Sequence, residues 1–414
     1  MAALVVALGG ATTVAAVARA QTDIDSWLAQ DTATGDWGGL RSRTEAAGLT
    51  VDSYYQADLL ANPIGGERQS FAYAGTMKIS LDVDLERIAG LAGTSFFIAG
   101  YWASGDDLSD TKIGNLIGVA QAFSGRTVGL AQMYLGQELL DGRLAVALGR
   151  LSVGDDFATS DLYASYLSIG INSNPFAIAE NVPSFSADPV AQWGARAIVQ
   201  PTEQIHLGAG IYNADPDVAE GGRHGVDFAL DPENGVLAIA EAGYKWHQAN
   251  HAGMPGSVTL GGYHDSSDFD ALDGSGRTRG GNYGFYLLVD QMVYREGGPE
   301  SAQGSAQGLT PWGALTLAPD QQINTIPFSA AGGLVYRGLL PRRDNDRTAL
   351  AVYHGAFSDR LRDRSAETVV EANHRFQLAP WLHVTPDFQY VIRPDGRSDI
   401  DDAAVLGGEI GIDF

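Results

Sequence analysis

Residues 382–393 read LHVTPDFQYVIR, and apolar and polar side chains alternate along them. The first face consists of Leu382, Val384, Pro386, Phe388, Tyr390 and Ile392. The opposite face consists of His383, Thr385, Asp387, Gln389, Val391 and Arg393. Because successive side chains of a β-strand point to opposite sides, this period of two predicts a strand with one apolar and one polar face.

The same alternation recurs at residues 77–86, 368–378 and 406–414. The polar faces carry several ionic side chains each, which suits a wide, water-filled lumen better than a packed core. The segments also recur regularly, at lengths near the roughly 9–11 residues that a tilted membrane strand needs. A soluble antiparallel sheet with one wet face is the alternative, but these two features favour a membrane β-barrel.

The whole chain holds about sixteen such segments, an even number that puts both ends of a barrel on one side. We expect them to start near Leu49, Thr76, Thr94, Leu130, Leu144, Trp193, Ile205, Gly235, Ser257, Tyr283, Gly313, Phe328, Ala349, Thr368, Leu382 and Ala403. Short connections are predicted at residues 90–93, 141–142, 201–204 and 378–381. Long ones are predicted at residues 102–126, 152–192, 214–234 and 265–282. Residues 295–312 are long where a short turn is expected, so either that turn is elaborated or the strand count slips there.

Composition excludes several classes of function. The 414 residues contain no cysteine, which removes disulfides, thiolate nucleophiles and cysteine metal sites. Lysine and arginine total 26 against 50 aspartate and glutamate, a net charge of −24. Nucleic acid is therefore not an expected partner, because phosphate binding needs a cationic face. A phosphate-selective pore is disfavoured for the same reason.

The start of the chain resembles an export signal. Residues 4–18 are small and apolar, and Ala18, Arg19 and Ala20 fit a small-x-small cleavage pattern before Gln21. A buried apolar helix is the alternative. We expect residues 1–20 to be a signal peptide, 21–48 a periplasmic segment with a short helix near 42–47, and 49–414 the barrel.

The chain ends on Phe414, an aromatic residue that closes an alternating strand, as in outer-membrane proteins. Several motifs in order then resemble the carbohydrate-selective porins of the OprB family, from about Asp31 to Phe414. They are TGDWGGLR (34–41), AGL (47–49), GN (114–115), LLDGRL (139–144), GR (149–150), DFA (156–158), WGA (193–195), GIYN (210–213), GLLP (338–341), PW (380–381) and PDFQY (386–390).

The resemblance implies an all-β, 16-stranded antiparallel barrel in the bacterial outer membrane. It implies short periplasmic turns, long extracellular loops, and a constriction loop folded into the lumen. Passive uptake of monosaccharides and similar small polyols follows, with no cofactor. The implied partners are neutral sugars, outer-membrane lipid and lipopolysaccharide, and the barrel-assembly machinery through Phe414. Monomers and homo-oligomers share this strand pattern.

The longest loop, residues 152–192, is the predicted constriction, with a purely structural or solvated loop as the alternative. We expect Arg150 to line the pore and to pair with Asp155 or Asp156; an exposed surface arginine is the alternative. From the loop, Asn172, Asn174 and Glu180 are further candidates. From the strands, the lumen candidates are Lys78, Asp82, Glu371, Asn373, Arg375, Asp387 and Gln389.

Other classes of function are alternatives to this interpretation. A general or weakly cation-preferring porin fits the acidic composition. A barrel lipase is remote, because His264, Asp265 and Ser266 are adjacent and point to opposite faces, and no G-x-S-x-G motif occurs. Residues 265–276 are acidic but lack the EF-hand pattern, and HExxH is absent, so no metal site is expected. A soluble β-sandwich binding protein is the third class.

Overall fold

The chain closes into one antiparallel β-barrel. The computed structural model describes residues 24–123, 125–215, 224–226, 228–230, 232–247, 253–297 and 307–414, so the predicted signal peptide lies outside the described residues. The strand segments are β1 Leu49–Ile64, β2 Phe71–Asp84, β3 Thr94–Gly105, β4 Thr127–Leu139, β5 Leu144–Leu151, β6 Gln192–Val199, β7 Ile205–Asn213, β8 Val236–Trp246, β9 Gly256–Asp270, β10 Thr278–Gln291, β11 Tyr294–Arg295, β12 Gly308–Leu317, β13 Phe328–Arg337, β14 Arg347–Ala356, β15 Ala366–Ala379, β16 Leu382–Ile392 and β17 Ala403–Asp413.

Each strand pairs with its neighbours in sequence, and β17 pairs with β1, which closes the sheet. The two-residue β11 continues the edge of β10 along β12. Counted as one strand with β10, it leaves sixteen barrel strands, and the predicted fold class is confirmed. A closed barrel has no unpaired edge, so every strand satisfies its backbone groups within the sheet.

The predicted alternation corresponds to an apolar exterior and a polar interior. On the outside, Leu148, Ile211 and Leu260 are 64%, 59% and 60% exposed. Such exposure of large apolar side chains is unfavourable in water but favourable against lipid tails. Polar side chains on the inner face, such as Glu371 of β15 and Gln389 of β16, are buried inside the barrel.

The two ends of the barrel differ. At one end of the barrel, which we call the turn end, the first strand begins and the last strand ends. Short connections such as residues 140–143 and 380–381 also lie there. Two helices lie there, α1 Leu40–Ala46 and α2 Leu85–Ala89. The carboxylate of Asp84 accepts a hydrogen bond from the Arg87 amide (3.0 Å) and caps α2. Residues 85 and 86, which the alternation placed in a strand, are therefore helical.

The segment before β1 packs against the last strand at the turn end. The rings of Trp27 and Trp381 lie 4.4 Å apart between centroids. The guanidinium of Arg41 donates to the carbonyl oxygen of Phe414 (2.6 Å) and also lies over the ring of Trp37. The start and end of the barrel are thus joined by side chains as well as by the β1–β17 ladder.

Two connections between strands differ from the simple pattern of short turns and long loops. The long loop predicted at residues 265–282 is wrong, because β9 continues to Asp270 and β10 begins at Thr278, which leaves only residues 271–277. Residues 265–270 and 278–282 pair with each other as the two strands of a hairpin. The described parts of the connection from β10 to β12, residues 292–297 and 307, lie at the turn end and include β11. The turn is elaborated, and the strand count does not slip.

At the other end of the barrel, which we call the loop end, two loops fold into the lumen. Residues 106–126 form the second loop, and residues 152–191 form the constriction loop. The latter contains α3 Val153–Asp156 and α4 Phe176–Asn181. Their apolar side chains form a core with the inner wall, including Ile117, Phe157, Tyr166 and Leu167. Among the described residues, no helix is long and apolar enough to cross a membrane.

Candidate functional site

Two glutamates of β15 hold the two inward loops. Glu371 accepts hydrogen bonds from the consecutive amides of Leu167 (2.7 Å) and Ser168 (3.0 Å) in the constriction loop. Four residues along the same face, Glu367 accepts from the amides of Leu116 (2.9 Å) and Ile117 (2.8 Å) in the second loop. We call Glu367 and Glu371 the acidic clamps. Each satisfies two consecutive backbone donors of a loop with its side-chain carboxyl oxygens.

The two loops are also bonded to each other and to further strands. The Gln121 amide donates to the Leu167 carbonyl (2.9 Å), and the Ile169 amide donates to the Gly118 carbonyl (2.8 Å). From β16, the amide of Gln389 donates to the Val119 carbonyl (2.9 Å). The loops therefore form one body fixed inside the lumen.

Charged side chains meet along the opposite wall, from β2 to β6. Lys78 of β2 forms an ion pair with Asp188 of the constriction loop. Arg196 of β6 pairs with Asp156 at 2.7 Å. Asp155 accepts a hydrogen bond from the Gln132 side chain of β4 (2.7 Å). We call Lys78, Asp155, Asp156, Asp188 and Arg196 the charged row.

The charged row is accessible to water in the lumen and electrostatically coupled. Asp155 is exposed, although protein surrounds it on the inside of the barrel. Burial within the barrel and the nearby Asp188 carboxylate raise the pKa of Asp155 to about 6, against the opposing effects of Lys78 and Gln132. Burial also raises the pKa of Asp156, while its partner Arg196 acts in the other direction.

Arg150 does not lie where we expected it. It faces Met133 and Trp193 in the ladder and shares a face with Leu148, which is exposed on the exterior. Its guanidinium donates to the Ala191 carbonyl (3.0 Å). Asp156 is instead paired with Arg196 and Asp155 bonded to Gln132, so the expected pairing of Arg150 with these aspartates is wrong. The alternation around Arg150 is obscured by glycine and small apolar residues.

Three other predicted loop residues brace the loop. Asn174 donates to the carbonyls of Gly154 (3.0 Å) and Phe157 (3.0 Å). Asn172 donates to the Tyr166 carbonyl (2.6 Å). Glu180 lies on α4 beside Thr325, away from the charged row, and burial raises its pKa to about 7.

The predicted strand residues fall into two groups. Lys78 belongs to the charged row, and Asp82 lies four residues closer to the turn end on the same face. The other predicted strand residues lie under the loops and are hydrogen-bonded to the loops or to one another, so they anchor the loops. They are Glu371, Asn373, Arg375, Asp387 and Gln389. Contact of any of these side chains with a solute stays a prediction.

Sequence reasoning missed the second loop as an inward loop, and it missed Asp188 and Arg196. Gly114 and Asn115 of the second loop did stand out as part of the family resemblance, but not as part of a constriction. Arg196 lies in a strand of alanine and glycine, QWGARAIV, whose alternation is too weak to reveal its face. The apolar content of residues 113–120 was the available signal that the second loop is not solvated.

Among the described residues, no site is assembled for the lipase alternative or for metal binding. Asp265 is buried and bonded to Ser184 and Ser267, whereas the Ser266 hydroxyl accepts from the Val236 amide (2.9 Å). His264 is exposed, so the three side chains do not form a triad. Within the described ranges, no group of three or more His, Asp or Glu is arranged to hold a metal ion.

Comparison with known proteins agrees with this architecture. Residues 68–414 match the family model described as the carbohydrate-selective porin, OprB family. Porin B of Pseudomonas aeruginosa is 24% identical, with 91% of this chain and 90% of that protein covered. The putative porin QuiX of Acinetobacter baylyi is also 24% identical, with 92% of each covered. A high-pH structure of Pseudomonas putida OprB has a TM-score of 0.84 at 23% identity, covering 93% of this chain and 99% of that one.

The match spans most of the chain, and the relatives are channels rather than enzymes. The barrel and these relatives place the protein in the bacterial outer membrane, where the turn end is periplasmic and the loop end extracellular. The chain therefore belongs to the OprB family of carbohydrate-selective porins.

Proposed function

We propose that the protein mediates passive diffusion of small neutral sugars, namely monosaccharides and similar polyols, past the charged row. The observation that carries this proposal is the pair of loops hydrogen-bonded to the wall and to each other inside the lumen. A fixed constriction of this kind discriminates by size, because the loops cannot move aside for a larger solute without breaking these bonds.

The chemistry of the charged row suits hydroxylated solutes. Carboxylates accept hydrogen bonds, and guanidinium and ammonium groups donate them, so together they replace the water that a sugar loses on entry. Because these side chains are already paired with one another, their binding to a sugar stays weak, which permits release. Tyr54 and Tyr101 lie near Asp188 and add aromatic surface.

A weakly cation-preferring general porin is the second candidate. The charged row contains two cations, Lys78 and Arg196, and three carboxylates, so it carries one net negative charge while Asp155 is ionised. That charge favours cations over anions of equal size. The two candidates differ in whether a neutral monosaccharide passes faster than an amino acid of similar size.

Swelling of proteoliposomes separates them. We expect glucose to give faster swelling than a neutral disaccharide and faster swelling than amino acids of similar size. Equal rates for glucose and these amino acids would leave only a general porin. Replacing both Asp155 and Asp156 with Ala is expected to change conductance, and unchanged conductance would move the constriction away from the charged row.

Two further expectations concern assembly. Phe414 lies at the periplasmic end, where its amide donates to the Ser53 carbonyl (2.9 Å). We propose that the barrel-assembly machinery recognises this residue before β17 pairs with β1. Contact with lipopolysaccharide and the oligomeric state remain predictions of the same kind.

A further inference from the structure

Three arginines lie side by side on the inner wall near the periplasmic end. Arg337 of β13 is directly opposite Arg347 of β14, and Arg347 is directly opposite Arg375 of β15. We call them the arginine row. Like charges directly opposite each other destabilise a sheet, so three in register reduce the stability of the barrel. This cost is unexpected in a chain with only 26 basic residues.

The three guanidinium groups differ in how they are bonded. Arg375 donates to the Ala164 carbonyl of the constriction loop (3.0 Å) and to Glu409 (3.1 Å), yet its Nε is buried without a partner. Arg337 donates to the side chain of Asn345 (2.9 Å). No described residue accepts a hydrogen bond from Arg347 or forms an ion pair with it. Asp161 of the constriction loop acts on Arg347 through its charge alone.

The arginine row lines a cleft that a solute reaches after the constriction. The cleft measures about 270 Å³ and is lined by Arg337, Asn345, Arg347, Arg375, Gln377 and Pro380. Through the bond between Arg375 and Ala164, it lies directly beneath the constriction loop. Its walls offer guanidinium donors beside the amides of two side chains, which is a set of groups for an anion that also carries hydroxyls.

We propose that the arginine row binds the carboxylate of a sugar acid, while the amides of Asn345 and Gln377 contact its hydroxyls. This assignment extends the proposed sugar pathway and rests on it. A guanidinium binds a carboxylate through two parallel hydrogen bonds, and Arg347 has its donors free for this within the described structure. Since the charged row carries one net negative charge, an acidic sugar is disfavoured there and needs a stabilising site beyond it.

Calorimetric titration of the detergent-solubilised protein with sodium gluconate tests this site. We expect Arg347→Gln to raise the Kd for gluconate about tenfold, because one charge-assisted contact is lost. Arg337→Gln is expected to raise it in the same direction. The matched control is Arg87→Gln, which removes the same charge at an exposed periplasmic position and is expected to leave the Kd unchanged. Heat-modifiable migration on gels shows that each variant forms a barrel.

The outcomes distinguish the site from the pathway. Equal gluconate affinity in Arg347→Gln and Arg87→Gln would overturn the arginine site, whatever the sugar uptake. Acetate binding as tightly as gluconate would overturn its assignment to sugar acids. Glucose-driven swelling of liposomes with the wild-type protein is a separate measurement. If it fails while Arg347→Gln still weakens gluconate binding, the neutral-sugar pathway is wrong and the anion site stands.

Discussion

The two walls of the lumen use charge in different ways. On β15, the acidic clamps are fully buried and accept hydrogen bonds from the backbone of the loops. Along β2 to β6, the ion-paired side chains of the charged row are 14–25% exposed, and strand side chains pair with side chains of the loop. We expect a polar residue that faces the lumen of this barrel either to hold a loop or to remain available for contact with a solute. We expect coverage by a loop to determine which of these two roles the residue has.

The largest effect is expected from removing a clamp. In Glu371→Ala, the amides of Leu167 and Ser168 lose their acceptor and remain buried, which destabilises the folded loop by about 3 kcal/mol. We expect the constriction loop to detach, single-channel conductance to rise severalfold, and the thermal midpoint in detergent to fall.

The control for this clamp variant is Glu203→Ala, which removes an exposed carboxylate from a periplasmic turn. It should leave both conductance and thermal midpoint unchanged. If Glu371→Ala keeps the wild-type conductance, the clamp does not hold the loop, and the distinction between the two walls fails.

A smaller effect is expected from the charged row. Lys78→Met removes the partner of Asp188 and leaves one cation against three carboxylates. We expect the permeability ratio of potassium to chloride, measured from reversal potentials, to rise about threefold at low salt. Because ions in the lumen screen partly exposed charges, the increase should shrink in 1 M salt.

Lys112→Met serves as the control for the row, since Lys112 lies in the second loop at the extracellular end. Comparable shifts in both variants would mean that the net charge of the protein, rather than the charged row, sets ion selectivity. The overall fold should be preserved in both, because neither substitution removes a side-chain acceptor of loop amides.

The strands were predictable from sequence because lipid and water impose opposite demands on alternate residues. Residues 382–393 show this alternation clearly, and β16 runs from Leu382 to Ile392. The same alternation assigned Glu371 and Gln389 to the lumen, but not to a position under a loop. A period of two reports which face a side chain occupies, whereas coverage depends on contacts between residues about 200 positions apart in the chain, such as Glu371 and Leu167.

The ion pairs of the charged row were harder to predict for a related reason. Asp155 and Asp156 were identified as constriction residues, but their partners come from separate strands, Gln132 on β4 and Arg196 on β6. Arg150 was the nearest arginine in sequence, and yet it shares the strand face of Leu148, is buried, and donates to the Ala191 carbonyl instead. Proximity in sequence is a poor guide inside a barrel, because one residue along a strand moves a side chain to the opposite side of the wall.

The smallest effect is expected from titrating the charged row. The pKa of Asp155 is raised to about 6, so its carboxylate is ionised at pH 7.5 and mostly protonated at pH 5. Protonation removes one negative charge and leaves two cations against two carboxylates. Cation preference should therefore fall as the pH drops through about 6, by roughly twofold. In Asp155→Asn the charge is absent at both pH values, so the variant should show the low-pH selectivity throughout and little change across this range. Conductance over the same range reports on the loops, because constant conductance between pH 7.5 and 5 would show that they stay bonded. A wild-type selectivity that is flat across this range would show that Asp155 does not set the field in the constriction.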